Sequence, residues 1–375
     1  MGRRGNGEGS ITRRKDGLYM ARYTVETSTG TNRKALYAKT RKQAAEKLAE
    51  ALAQTQKGIT ADAGAKTVGT FIERWLEDSV RGSVRQSTYQ RDESLCRVHI
   101  VPALGKKKLK TLNAADVQRF YRAKLDSGLS SATVHKLHVV LHKALKQAIR
   151  WGFAQRNVVN DVDAPKIHKE EVTPLTREEA RKLLEVARDE RLEALYVVAV
   201  QSGLRQGELL ALRWEDIDLG TRTLQVRRTL TRNGSKLAVG PTKTSKGRRT
   251  GRLTRDATEA LQDHLERQLA EIDEAEDSWQ ENGLVFCTGK GTLINPTNLR
   301  RRSLAPLLQR AGLPPMTFHQ LRHTAATILL LKNVNPKVVS EMLGHGTIAI
   351  TLDTYSHVLP NMQSSAVAAM EEAFS

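Results

Sequence analysis

Short strand patterns open the chain and helical periodicity takes over from it. Residues 17–23 (Gly-Leu-Tyr-Met-Ala-Arg-Tyr) and 34–37 (Lys-Ala-Leu-Tyr) read as strands split by the turn-rich 27–32, and a helical run over 42–56 is ended by Gly58. That pattern predicts a small three-stranded sheet backed by one helix over residues 1–60, followed by a linker at 58–66. From 67 to 165 helices are expected at 68–77, 87–101, 113–126 and 131–151, the third opened by Asn113 and closed before Gly128. A charged hinge runs from Asp163-Ala164-Pro165 to Pro174, and Thr176-x-x-Glu179 then forms a capping box for a new helix. Beyond it the pattern is mixed: a helix over 208–214, strands around Leu224-Gln225-Val226, a turn at Arg232-Asn233-Gly234-Ser235, and a second tight loop at 243–249. Asn335-Pro336 opens a short helix that Gly344 closes, and an amphipathic tail occupies 358–374. The fold class that follows is multidomain and mainly α with small β elements. Its last part, from 173 on, is mixed, mostly helical with one hairpin sheet.

Charge adds a partner to this outline. The 375 residues carry a net charge of +19, with a pI near 10.0, which points to a polyanion such as a phosphate backbone. Residues 1–60 hold 13 Lys/Arg against 5 Asp/Glu and residues 61–172 hold 20 against 12, so each segment stands at +8. Residues 173–375 hold 27 against 24, polarised between a basic hairpin and the acidic stretch 271–281, which reads as a solvated helix end or loop. Cys96 and Cys287 are too few for a disulfide framework, and neither a signal peptide nor a spanning apolar run is present. The expectation is a soluble protein of the bacterial cytoplasm, associated with the nucleoid and without membrane partners.

Four separated pieces carry chemistry. They are Arg205 in Ser202-Gly203-Leu204-Arg205-Gln206-Gly207-Glu208-Leu209, the basic hairpin around Lys243, His319-Gln320-Leu321-Arg322-His323, and Leu343-Gly344-His345 ten positions before Tyr355. A phenol is a poor nucleophile at neutral pH, so it needs a base for its proton and cations to disperse charge on a phosphorane. The arginine fork grips two phosphate oxygens at once. A lysine among cations can have its pKa lowered enough to protonate a leaving oxygen. Residues 222–255 hold eleven Lys/Arg and no Asp/Glu, which gives Lys243 such neighbours.

Each piece also has a bland reading. Arg205 alone suits a surface ion pair, and Tyr355 alone suits packing. His319 and His323 have the four-residue spacing of two zinc ligands, but Gln320 stands where the Glu base belongs and no third ligand pattern lies near. His135, His138 and His142 share one helix face without a matching carboxylate or cysteine, so solvated or DNA-facing histidines are expected there rather than a metal site.

Together the pieces resemble the tyrosine recombinase (phage integrase) family, in its three-domain lambda-type form. The family's Gly-Leu-Arg-x-Gly-Glu-Leu motif is matched by 203–209, its hairpin lysine by Thr242-Lys243-Thr244, its His-x-Leu-Arg-His box by 319–323, its Leu-Gly-His box by 343–345, and its nucleophile by Tyr355. Gln320 stands where the family often has Asp.

The resemblance implies three domains: an arm-type DNA-binding domain at 1–60, a helical-bundle core-binding domain at 67–165, and a mixed α/β catalytic domain at 173–375 whose tail docks on a neighbouring protomer. It implies six catalytic residues, Arg205, Lys243, His319, Arg322, His345 and Tyr355. Arg13, Arg14, Arg22 and Lys34 become candidate DNA contacts on the N-terminal strands, with Lys106, Lys107, Lys108 and Lys110 before the third bundle helix, and Arg248 and Arg249 in the hairpin. The implied activity is site-specific cleavage and rejoining of DNA through a 3′-phosphotyrosine and a Holliday junction, without metal, ATP or another cofactor. Such an enzyme works as a homotetramer on double-stranded attachment sites and integrates or excises a phage or mobile element. An excisionase and a host DNA-bending protein are candidate helpers. A chromosome-dimer resolvase, a relaxing topoisomerase and a non-catalytic DNA-binding regulator are the alternatives. The basic segment at 1–60 favours the integrase type, and a regulator has no use for the tyrosine constellation.

Overall fold

A computed structural model describes residues 9–27, 30–56, 66–167, 173–234, 236–242, 247–355, 367 and 370–374. The chain divides into two compact units, Met1–Lys169 and Glu170–Ser375. Lys243 and most of the expected tail at 358–374 lie outside the described residues.

The first unit begins with an antiparallel sheet in the order β1 (Ser10–Arg13), β2 (Tyr19–Thr27), β3 (Gly30–Ala38), backed by α1 (Arg41–Gln56). Successive strand residues face opposite sides, so Ala21, Tyr23 and Ala38 turn toward Ala44 and Leu48 of α1 and close a small apolar core. A larger bundle follows, built from α2 (Val68–Trp75), α3 (Gln86–Leu95), α4 (Val101–Leu104), α5 (Ala114–Asp126) and α6 (Ser131–Arg150). One-turn π segments extend α2 to Val80 and join α3 to α4, which accounts for the length of the second expected helix. Phe71, Ile72, Ile100, Val117, Tyr121, Leu137 and Leu141 fill its core. Asn113 caps α5 as expected, in a reciprocal box with Asp116. The lysine-rich loop before α5 is pinned to the start of α2, with Val68 N donating to Lys107 O at 2.8 Å and Gly69 N to Gly105 O at 3.0 Å.

In the second unit the expected capping box of Thr176 and Glu179 opens α7 (Arg177–Val186). The apolar helix α8 (Glu193–Ser202) is buried over most of its length, from Ala194 to Val200. The helix expected over 208–214 is only a single turn, α9 (Gln206–Leu209). Leu209, Leu210, Ala211 and Leu212 are all buried, so the chain there runs through the core instead of lying along its surface. Two sheets replace the one hairpin sheet expected. They are β4-β5-β8 (Ile217–Asp218, Thr223–Val226, Arg249–Arg252) and the hairpin of β6 (Arg228–Asn233) and β7 (Lys236–Pro241). After α10 (Arg255–Ala275) come α11 (Pro296–Leu299), α12 (Ala305–Arg310), α13 (Phe318–Leu331), α14 (Pro336–Leu343) and α15 (Ile348–Tyr355). The acidic stretch does hold a helix end, at Ala275, but Glu271 is drawn into a two-pronged ion pair with Arg191. Among the described residues no helix is long and apolar enough to cross a membrane.

Candidate active site

The site is organised around the reversal at Gly203. Helix α8 ends there in the left-handed region, φ 63°, where a side chain is strained. A Cβ at this position would also sit 2.6 Å from Leu343 Cδ2 and 3.3 Å from Ala325 Cβ. The Gly203 carbonyl accepts from Arg322 Nη1 at 2.9 Å, so the turn fixes the second arginine from α13 and launches the first, Arg205, two residues later. Arg322 is 2% exposed, and its Nη2 has no hydrogen-bond partner among the described residues.

Arg205 stands immediately before α9. Its Nη1 donates to Glu208 Oε1 at 2.7 Å and its Nη2 to Gly344 O at 3.1 Å, while 40% of its side chain stays exposed. Glu208, 4% exposed, also receives Arg249 Nη2 at 2.9 Å. Burial pushes the Glu208 carboxyl up, but the hydrogen bonds and charges of Arg249 and Arg205 outweigh it and hold the group below the ordinary glutamate value. Arg249 is therefore not the exposed DNA contact expected of it. Its side chain is 10% exposed, and its Nε donates to Met342 O at 2.7 Å. In the ladder it stands opposite the buried Val226, which sets it on the inner face of β8. Lys243 lies outside the described residues, but the two that bracket its loop meet. A Cβ on Gly247 would approach Thr242 Cβ to 2.9 Å, and Gly247 O accepts from Arg249 Nη1 at 3.2 Å.

Thr317 and Gln320 form a capping box at the start of α13, which gives Gln320 a structural role. The helix then presents His319, Arg322 and His323 at spacings of three and four, along one side. Tyr355, 2% exposed, ends α15 and packs with Ala326, Leu330, Val339 and Leu343 of α13 and α14. Its hydroxyl lies 2.9 Å from Nδ1 of His323. The sequence reading takes His319 and Arg322 from this box as catalytic candidates and gives His323 no role. The four-residue step from His319, one helical turn, is the signal that both rings share a face, and they meet edge to face at 4.8 Å. His345 follows the left-handed cap at Gly344, and its Nδ1 lies 2.7 Å from Thr351 Oγ1 at the buried side of α15.

Burial first, and then the surrounding cations, set the protonation states. His323 and His345 are each pushed down to about 4, the first by burial, His319 and Arg322, the second by burial, Arg322 and Arg205. His319 is lowered too, by loss of water around its ring and by Arg322 and Arg205. Burial raises the Tyr355 phenol to about 12 against the attraction of Arg322. Arg322 itself falls to about 9 through burial and Arg205, which leaves it charged at neutral pH. The pocket thus holds two arginines in their cationic form, neutral histidines, and a protonated tyrosine joined to one of them.

The expected DNA contacts divide by position. Arg22 is exposed on the face of β2 opposite α1, whereas Arg13 and Lys34 fall in register with Tyr19 and Tyr23 and so start from the helix-covered face. The four side chains therefore do not share one strand surface, because alternation separates them. Arg13 lies over the ring of Tyr19, and Arg14 over Tyr37 while pairing with Asp16. Lys106, Lys107, Lys108 and Lys110 are exposed; Lys107 holds the buried Asp116 at 2.8 Å, and Lys110 lies 3.7 Å from Glu50. His135, His138 and His142 are partly buried, and each meets a partner from another element. They stack along α6, facing Pro165 O, the Tyr121 hydroxyl and Asn160 Oδ1 respectively. Among the described residues no group of three His, Cys, Asp or Glu side chains is placed to hold a metal ion.

Residues 173–362 match the profile of the phage integrase family, and residues 67–125 match that of the phage integrase N-terminal SAM-like domain. A tyrosine recombinase XerC-like protein of Caldanaerobacter subterraneus subsp. tengcongensis is 32% identical, over 96% of this chain and 98% of its own length. The fold is similar to that of the Tn1549 transposon integrase solved with transposon right end DNA, with a TM-score of 0.69 at 23% identity over 82% of this chain and 100% of that one. It is also similar to a lambda integrase tetramer bound to a Holliday junction, with a TM-score of 0.59 at 19% identity over 94% and 96%.

Two outcomes follow from this geometry. Gly203→Ala combines left-handed strain with a clash against Leu343, each costing about 1–3 kcal/mol, and displaces the carbonyl that holds Arg322. DNA cleavage by that variant falls about a hundredfold, as expected for a shift of order 1 Å in a catalytic group, and its melting temperature drops. The second outcome concerns acid. Because His323 and His345 sit at about 4 when folded against 6.5 ordinarily, the unfolded chain takes their protons first. Their contribution to stability is complete above pH 6.5 and is lost as pH falls toward about 4. Denaturant titrations across that window show a smaller acid loss for His345→Gln than for the wild type; equal losses contradict the assignment.

Proposed function

The chain belongs to the phage integrase family of tyrosine recombinases and is a site-specific recombinase that cleaves and rejoins DNA, and on that footing we propose that Tyr355 is its nucleophile within a site formed by Arg205, Lys243, His319, Arg322 and His345. The observation that carries this reading is the unpaired Nη2 of Arg322. A buried guanidinium N–H without a partner is costly, and a non-bridging phosphate oxygen is the acceptor that suits it. Arg205, held on Glu208 with part of its fork still exposed, takes the other oxygen.

The phenolic oxygen attacks phosphorus, and the P–O5′ bond breaks as the phosphotyrosine ester forms at the 3′ side. The phenolic proton leaves along the 2.9 Å contact to the neutral Nδ1 of His323. Lys243 supplies the proton that the departing O5′ requires. His319 and His345, uncharged at neutral pH, serve as hydrogen-bonding walls of the phosphate site. In the return step a 5′ hydroxyl from a partner strand attacks the phosphotyrosine, and the ester bond energy is conserved without metal or ATP.

The larger assembly belongs to the same proposal. Residues 67–165 clamp the core site through the loop bearing Lys106, Lys108 and Lys110, and residues 1–60 read a separate arm site. Four copies assemble on a Holliday junction, and an excisionase or a host bending protein sets direction. Integration or excision of a mobile element is favoured over chromosome-dimer resolution by the additional basic sheet domain at the N-terminus.

A nicked suicide duplex carrying the core site gives an SDS-resistant protein–DNA adduct without divalent ions, and Tyr355→Phe abolishes it. An adduct that survives this change removes Tyr355 from the role. Lys243→Ala loses cleavage on ordinary DNA and regains it on a duplex with sulfur at the bridging 5′ position, since a thiolate leaves without a proton. A variant that stays inactive on sulfur assigns the acid elsewhere.

A further inference from the structure

Beyond the ends of β5 and β8 lies an open pocket of about 540 Å³ lined by Arg213, Arg227, Arg228, Arg248 and the β7 segment Val239, Gly240 and Pro241. The ladder explains how the arginines meet. Val226 and Arg249 are the last pair of the β5–β8 ladder, and Arg227 follows the one while Arg248 precedes the other, so both leave the sheet at the same end. Like charges gathered around one pocket repel one another, which makes this cluster unfavourable in the free protein and favourable around an anion.

The remaining electrostatics agree. The buried Asp216 anchors Arg228 at 2.8 Å and Arg227 at 3.5 Å, and Glu215 faces Arg213 at 3.8 Å while also pairing with Arg228. Four guanidinium groups thus meet two carboxylates, an excess of two positive charges. Arg248 is exposed and has no hydrogen-bond or ion-pair partner among the described residues, and Arg213 Nε is buried without one.

We propose that this arginine pocket is a second phosphate seat, which takes a DNA backbone phosphate other than the one Tyr355 attacks. The proposal rests on the recombinase reading above and extends it. Because Arg248 immediately precedes Arg249, the first residue of β8, seating a phosphate on Arg248 pulls on the backbone that carries Arg249, whose side chain is bonded to Glu208, which in turn holds Arg205. Binding of duplex away from the cut is thereby tied to the alignment of the cleavage site.

The test is a pairwise cycle on the full chain, with a short duplex of arbitrary sequence as the probe, since a backbone contact is independent of bases. Arg248→Gln and Arg227→Gln each weaken binding about fivefold or more at physiological salt, and the double variant loses clearly less than the product of the two, because one phosphate serves both side chains. The slope of log affinity against log salt falls by about one for the pair, not two. Losses that multiply, or single variants that bind as the wild type does, overturn the shared seat. Arg248, exposed and unpaired, keeps its single variant interpretable by thermal unfolding even if the double variant does not fold. Stabilisation by inorganic pyrophosphate without any change in duplex affinity between wild type and variants assigns the pocket to a small free anion and also overturns the proposal. If the seat passes while the wild type yields no SDS-resistant adduct on its core site, the failure belongs to the recombinase chemistry and not to the pocket.

Discussion

The buried carboxylate of Glu208 is the interaction on which the site depends. A phosphate-cleaving centre needs several cations close together before its anionic substrate arrives, and their mutual repulsion opposes folding. Glu208 offsets this from within. It holds Arg205 on one oxygen and Arg249 on the other, and it also accepts the backbone N–H of Arg205. The two arginines pass the constraint on through the carbonyls of Gly344 and Met342, so the end of α14, and with it His345, is located by the same carboxylate. Arg322 is exempt from this pairing and is held by a carbonyl alone, which leaves it the stronger anion receptor.

A second consequence concerns the proposed nucleophile. Tyr355 is buried with its hydroxyl on His323, and its ring packs with the helices that carry His323 and the Leu343-Gly344-His345 turn. The phenol is kept protonated and the histidine neutral until a phosphate alters the local field. Reactivity is thereby conditional on substrate: the cations that lower the cost of the phosphorane are in place, while the proton acceptor has little basicity of its own.

Much of this was legible in the sequence, because the chemistry is carried by motifs whose local geometry is dictated by neighbours. Gly203 before Arg205, the four-residue rhythm of 319–323 and the glycine closing α14 each encode a turn or a face. What escaped was set by partners distant in the chain. Glu208 stood inside a recognised motif, yet its role requires Arg249 forty-one residues on. Arg249 seemed a DNA contact by composition, and only its pairing with Val226 turns it inward. Arg13 and Lys34 joined Arg22 by charge but are separated from it by strand alternation, once β1 supplies a register. The 208–214 segment has the apolar content of a helix, and its burial on all sides keeps it short. The partners of the three histidines of α6, Pro165, Tyr121 and Asn160, were not legible because they come from other elements.

The central claim is that Arg322 and the Glu208-held Arg205 are set in advance to receive one phosphate. The most direct measurement is a high-resolution structure of the protein trapped as its covalent adduct with a suicide duplex. The account predicts Arg322 Nη1 still on the Gly203 carbonyl and Nη2 now on a non-bridging oxygen of the Tyr355 phosphate, with Arg205 on the other oxygen and still bonded to Glu208. A phosphate held by other cations, with Arg322 Nη2 unpaired or Glu208 released from Arg205, contradicts it.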